Sequence, residues 1–123
     1  MKARLLMPIK KNAHLLRGEF AENQALQFLL NAGLVLVEKN FRCKVGEIDL
    51  IMREKDALVI TEVRYRKSDR FGSAAESVTA TKQSRIIAAT HYYLSLKPHH
   101  KAIRFDVVAI SGDNHINWIK NAF

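Results

Sequence analysis

The chain has 123 residues, 48% of them hydrophobic and 26% charged, enough for one domain with a real core. That balance excludes wholesale disorder, and five Gly and two Pro exclude collagen-like or low-complexity architecture. Twenty Lys and Arg against twelve Asp and Glu give a net charge of +8, which favours a polyanionic partner: DNA, RNA or an anionic surface.

Residues 1–11 carry Lys2, Arg4, Lys10 and Lys11 and no acid, and read as a basic flexible arm. Residues 12–123 form a single domain. The apolar stretch Leu5-Leu6-Met7 is broken at once by Pro8 and by Lys10-Lys11, so it is no secretion signal. No apolar run approaches the ~18 residues that a membrane helix needs. Cys43 is the single cysteine; it can form no internal disulfide and offers no CxxC pair, which fits a reducing compartment. The expectation is a cytoplasmic protein that does not engage a membrane.

Asn12 can cap a helix running to about residue 32, with Ala21, Ala25, Phe28, Leu29 and Ala32 on one face and Gly33 as its stop. Three strands follow. Residues 34–40 are apolar, with Val35 and Val37 β-branched. Residues 47–53 alternate: Ile48, Leu50 and Met52 point one way, Glu47, Asp49 and Ile51 the other. The charged stretch 53–56 suits a hairpin turn, and residues 57–66 make the third strand. Residues 67–78 are mostly small and polar and read as a loop. A second helix begins at Thr79 or Thr81 and runs to Leu96, with Ile86, Ala89, Thr90 and Tyr93 inward and Pro98 beyond its end. Residues 102–110 form a fourth strand, and residues 115–120 a short fifth after the turn at Gly112-Asp113-Asn114. A helical crossover from the third strand to the fourth makes that pair parallel. The expected fold class is therefore α/β, a mixed β-sheet flanked by helices.

The unusual residues are acids in strands. Asp and Glu are poor strand formers, yet Asp49 and Glu62 both lie among apolar neighbours. Glu62, Arg64 and Arg66 share one face of the third strand, and a hairpin around 53–56 brings Asp49 close to Glu62. On the first helix, Glu22 borders the apolar stripe, with Ala25 at i+3 and Leu29 at i+7; alone, it reads as a charge snorkelling out at the stripe's edge. Two adjacent carboxylates raise each other's pKa unless a cation separates them, and Mg²⁺ suits one or two carboxylates plus water and phosphate oxygens. Acid, acid and base beside a metal is the chemistry of phosphodiester hydrolysis. The structural alternative is an exposed sheet face on which Glu62 and Arg64 are solvated charges. Lys82, Gln83 and Arg85, at the start of the second helix, can hold a phosphate or form a solvated first turn. Asp106 reads as a structural partner of Arg104, and Glu47 as an outer partner of Asp49. The five histidines lack metal-ligand spacing, and Trp118 and Phe123 read as edge packing.

Several segments together resemble the YraN family of small bacterial proteins. They are Gly18-Glu19-Phe20-Ala21-Glu22-Asn23-Gln24-Ala25, Asn40-Phe41-Arg42, Gly46-Glu47-Ile48-Asp49-Leu50-Ile51, Glu62-Val63-Arg64-Tyr65-Arg66, Lys82-Gln83 and Arg104-Phe105-Asp106-Val107-Val108. The resemblance runs from about Leu15 to Phe123. Such proteins are similar to the restriction-endonuclease-like superfamily, with its αβββαβ core, and especially to archaeal Holliday-junction resolvases. By that resemblance Asp49 and Glu62 are metal ligands, Val63 lends its carbonyl, and Glu22 completes the shell around Mg²⁺ or Mn²⁺. Arg64 stands where the superfamily has a lysine. An arginine is always protonated and cannot be a general base, but it can hold a phosphate oxygen. The implied catalytic set is Asp49, Glu62 and Arg64, and the implied metal set Glu22, Asp49 and Glu62. Arg64, Arg66, Lys67, Arg70, Lys82 and Arg85 are the candidate nucleic-acid contacts. The functional expectation is a Mg-dependent DNA endonuclease, resolvase-like and in that case a homodimer. The alternatives are a non-catalytic nucleic-acid-binding module of the same fold, and an adaptor whose basic face meets another protein.

Overall fold

A computed structural model of the chain describes residues 13–67 and 77–123. The basic arm, the Asn12 cap and Arg70 lie outside the described residues. The elements are α1 (Ala13–Asn31), β1 (Val35–Cys43), β2 (Gly46–Glu54), β3 (Ala57–Arg66), α2 (Ala80–Leu96), β4 (Ile103–Ser111) and β5 (Ile116–Ile119). The five strands form one sheet in the order β1-β2-β3-β4-β5. β3 and β4 run parallel across the α2 crossover, and every other neighbouring pair is antiparallel. This is the expected αβββαβ core with one further strand at its edge.

The sheet divides the core in two. On one face Ala21, Ala25 and Leu29 of α1 pack on Leu50, Met52, Val59, Val108 and Ile110. On the other, Ile86, Ala89 and Tyr93 of α2 pack on Ile51, Leu58, Ile60, Val107 and Ala109. Adjacent residues of β3 thus serve opposite helices, as the two-residue period of a strand requires. Burying a side chain such as Leu29 or Ile51 contributes roughly 1.5–3 kcal/mol. The inner stripe of α2 is the one its spacing predicts, Thr90 included; the Thr90 hydroxyl bonds back to the Ile86 carbonyl at 2.8 Å. On α1 the stripe is shorter than its spacing suggests. Ala32 is exposed, because the helix ends at Asn31 and Gly33 turns the chain away at φ +99°.

Ile48 departs from simple alternation. Leu50 and Met52 face α1, but Ile48 joins the α2-side cluster with Ile51. The cause lies in the pairing. The β2–β3 ladder ends at Leu50–Thr61, whereas β1 follows β2 down to Gly46. Beyond Leu50 the strand is held by β1 alone and is free to twist relative to β3. That parting of two central strands is where Asp49 and Glu62 lie.

A second buried acid anchors the far edge of the sheet. Asp106, fully buried on β4, accepts Arg104 Nε and Nη2 at 2.8 Å each, Trp118 Nε1 at 2.9 Å and the Asn121 backbone N–H at 3.0 Å. Arg104 also reaches Glu54 at 2.8 Å, tying the β2–β3 turn to β4. Asp106 is therefore a structural acid. Trp118 meets Phe28 edge-on and Phe123 stacks on Phe105, so both aromatics pack.

Candidate active site

Glu62 is 4% exposed, and Asp49 beside it is partly open. Asp49 Oδ2 accepts the backbone N–H of Val63 at 2.9 Å, across the gap where the strands have parted. The two carboxyl groups lie within hydrogen-bonding reach of each other. Burial pushes the Glu62 carboxyl up to about 8, and the Asp49 charge adds to the rise. Burial raises Asp49 as well, against the lowering effect of the Val63 N–H.

Two cations converge on one oxygen of this pair. Arg64 Nη1 stands 3.5 Å and Lys82 Nζ 3.7 Å from Glu62 Oε2. Arg64 comes from the same face of β3. Its guanidinium is also held at Ser77, by the hydroxyl at 3.3 Å and the carbonyl at 3.1 Å. Lys82 comes from the first turn of α2, which Thr79 caps by accepting the Lys82 N–H at 3.1 Å. The sequence marks Lys82 as a phosphate contact; its place on Glu62 depends on how α2 crosses the sheet.

Glu22 lies at the rim. Burial raises its carboxyl to about 6, and the charges of Asp49 and Glu47 add to the effect. The nearby Asn40 side chain offsets a little of that rise, and both residues line a cavity of about 180 Å³ with Lys39 and Leu50. Asn40 has φ +54°, a left-handed conformation that Asn tolerates better than most residues. The expected strand ends at residue 40, whereas β1 continues through Asn40 to Cys43. Among the described residues, no three His, Cys, Asp or Glu side chains form a ready metal cluster. Glu22 is thus near the pair without completing a shell.

The other candidates spread outward. Arg66 ends β3, where it pairs with Ser111 across the parallel ladder, and Lys67 follows it. The Gln83 amide donates to the Val78 carbonyl at 3.0 Å. Glu47 is held by Arg42 at 3.1 Å, opposite it in the β1–β2 register. No helix among the described residues is long and apolar enough to cross a membrane.

Residues 21–110 match the uncharacterised protein family UPF0102, a span that includes every acid and cation of this site. The chain belongs to the UPF0102 family. This is the YraN family that the motifs resemble. Similar members are UPF0102 proteins of Nitrosomonas europaea, 54% identical over 87% of this chain and 92% of that protein, and of Herminiimonas arsenicoxydans, 47% identical over 91% and 90%. A UPF0102 protein of Legionella pneumophila is 49% identical over 87% of this chain and 93% of its own length. The match thus spans nearly all of both chains, so the parted strands, the acid pair and α2 belong to the matched UPF0102 domain.

Proposed function

We propose that this protein is a metal-dependent endonuclease of DNA, with its site at Asp49 and Glu62. The observation that carries the reading is the pair itself: a buried Glu62 carboxyl within hydrogen-bonding reach of the half-buried Asp49, flanked by Arg64 and Lys82 on one Glu62 oxygen. A buried carboxyl pair is costly in isolation and suits a hard cation with oxygen ligands. The donor set fits Mg²⁺ or Mn²⁺. Asp49 and Glu62 would hold the ion, with Glu22 at the rim; two carboxylates leave positions open for water and phosphate oxygens, as Mg²⁺ coordination prefers. When bound, such an ion lowers the pKa of water and neutralises charge growing on the phosphate.

The chain's own groups supply the rest. The Val63 N–H fixes the Asp49 carboxylate, and β3 carries Glu62 against it. Arg64, positioned by Ser77, and Lys82 present cationic donors where non-bridging phosphate oxygens would lie. Arg64 cannot take a proton from water. Its role is to hold the phosphate and stabilise charge in the transition state. Arg66, Lys67 and Arg85 extend the cationic surface along the path of the nucleic-acid strand; Arg70 lies outside the described residues. Symmetric cutting of a branched duplex calls for two copies, so a homodimer belongs to this reading.

A second reading, a nucleic-acid-binding module without catalysis, is favoured by the arginine at position 64 and by the incomplete metal cluster. The deciding experiment is cleavage of linear, flapped and four-way-junction DNA, side by side, with Mg²⁺ or Mn²⁺. Cutting that requires the metal supports the enzyme. Salt-sensitive binding with no cutting of any form supports the module.

A further inference from the structure

The turn between β1 and β2, Lys44-Val45, abuts the second turn of α2. A Cβ placed on Gly46 would lie 2.6 Å from the Arg85 carbonyl oxygen, closer than side-chain atoms approach a backbone. Glycine at 46 therefore lets the hairpin end seat directly on the helix. Between them lies a cavity of about 460 Å³, within the size range of ligand sites. Arg42 and Lys44 line it from the hairpin, Lys82 and Arg85 from the helix, and Glu47 is the only acid among the described residues that line it. Four cations thus face one carboxylate in a concave space.

That concentration of like charge repels itself and is relieved by an anion. Lys82 has Glu62 as a further counter-charge, and the carboxylate that Arg42 holds within the cavity is weakly bound. The Arg42–Glu47 pair has side chains 73% and 46% exposed, and exposed pairs of that kind contribute little to stability. Arg42 is free to exchange Glu47 for a phosphate at little cost. Lys82 joins the two sites: it lines the cavity and stands 3.7 Å from Glu62.

We propose that this cavity is a phosphodiester subsite, in which Arg42, Lys44 and Arg85 hold a backbone phosphate neighbouring the one presented to Asp49 and Glu62. It sets the register of the strand across the acid pair. The inference rests on the nucleic-acid part of the proposed function and not on cleavage. Arg42 and Lys44 are phosphate ligands that strand-by-strand reading of the sequence does not single out, because they become neighbours of Arg85 only through the docking at Gly46.

The test is a fluorescence-anisotropy titration of labelled duplex and four-way-junction DNA at several salt concentrations, using the full chain. It compares the wild type with Arg42→Gln/Arg85→Gln and with Lys44→Gln. Lys101→Gln serves as the charge control: Lys101 is exposed and precedes β4 at the end of the sheet away from Glu62. Thermal melts establish that each variant is folded. The double variant is expected to bind roughly tenfold or more weakly, and to lower the slope of log K against log salt by about 0.9 for each phosphate that it no longer neutralises. Lys101→Gln should leave the slope unchanged. An unchanged affinity and slope in the folded double variant, or an equal loss in Lys101→Gln, overturns the subsite. Binding lost in the double variant of a protein that never cuts DNA supports the subsite while overturning the nuclease. Absence of wild-type binding at low salt overturns both.

Discussion

Asp49 accepts the backbone N–H of Val63 at 2.9 Å, immediately beyond the last paired positions of β2 and β3. A side-chain oxygen thus takes up a main-chain donor where the ladder has stopped. The strands can part without leaving that N–H unsatisfied, and the carboxylate is fixed in one orientation. The same bond stabilises a structural irregularity and aims an acid at Glu62.

Charge removal at the pair should separate binding from chemistry. If the protein cuts DNA, Asp49→Asn and Glu62→Gln should each abolish cleavage while leaving DNA affinity largely intact, since each removes negative charge from a basic surface. Arg64→Lys should retain or raise activity, and Arg64→Ala should lose it. Matched cleavage and binding titrations check this. Full activity in Asp49→Asn would place the site elsewhere.

Divalent metal should stabilise the folded chain. An ion that binds only the native state adds about 2.7 kcal/mol at 100 times its Kd. The melting temperature of the wild type should therefore rise by several degrees with Mg²⁺ or Mn²⁺ and fall back with a chelator. The rise should be small in Asp49→Asn. Calorimetry with and without metal reads the difference directly.

The pH dependence of metal-free stability has a definite sign. Burial, reinforced by the Asp49 charge, raises the Glu62 carboxyl from 4.5 to about 8. Below about pH 4.5 that proton is bound in both folded and unfolded chains, and the site's contribution to stability is fully present. Between there and about 8 only the folded chain holds the proton, so the contribution is lost as pH rises through that window. Glu62→Gln should therefore stabilise the metal-free protein most at pH 8 and above, with the gain shrinking toward pH 4.5. Denaturant titrations across that range test it; a gain that grows on acidification would contradict the assignment.

The other buried acid should behave oppositely. Asp106 accepts four hydrogen bonds, so Asp106→Ala should cost about 3–5 kcal/mol: Arg104 keeps only Glu54, through Nη1, while its Nε and Nη2, the Trp118 indole and the Asn121 N–H all lose their acceptor. Urea unfolding measures the loss. Glu47→Gln, which breaks only an exposed pair, should change stability by less than about 1 kcal/mol.

Gly46→Ala should destabilise by about 1–3 kcal/mol, because the added methyl meets the backbone carbonyl of Arg85 and not a movable side chain. Melting the variant beside the wild type checks it. A neutral result would mean that the hairpin yields freely.

The order of elements, the parallel β3–β4 pair and the inner stripe of α2 were legible in the sequence. Each follows from local rules: two-residue and 3.6-residue periods, a threonine cap, a charged turn, and the length a parallel crossover needs. Acids in otherwise apolar strands marked Asp49 and Glu62, because such residues are rare there without a reason. Other features were decided only in three dimensions. Ile48 leaves the face of Leu50 because the β2–β3 ladder ends early, which depends on pairing partners and not on the strand's own pattern. Lys82 reaches Glu62, Asn40 and Glu22 line one cavity, and Arg42 and Arg85 line another, because separate elements cross at particular places. Periodicity specifies which side of its own element a residue occupies. Which charges meet across elements is set by how the helices and the hairpin end pack on the sheet, and packing is a property of the whole fold.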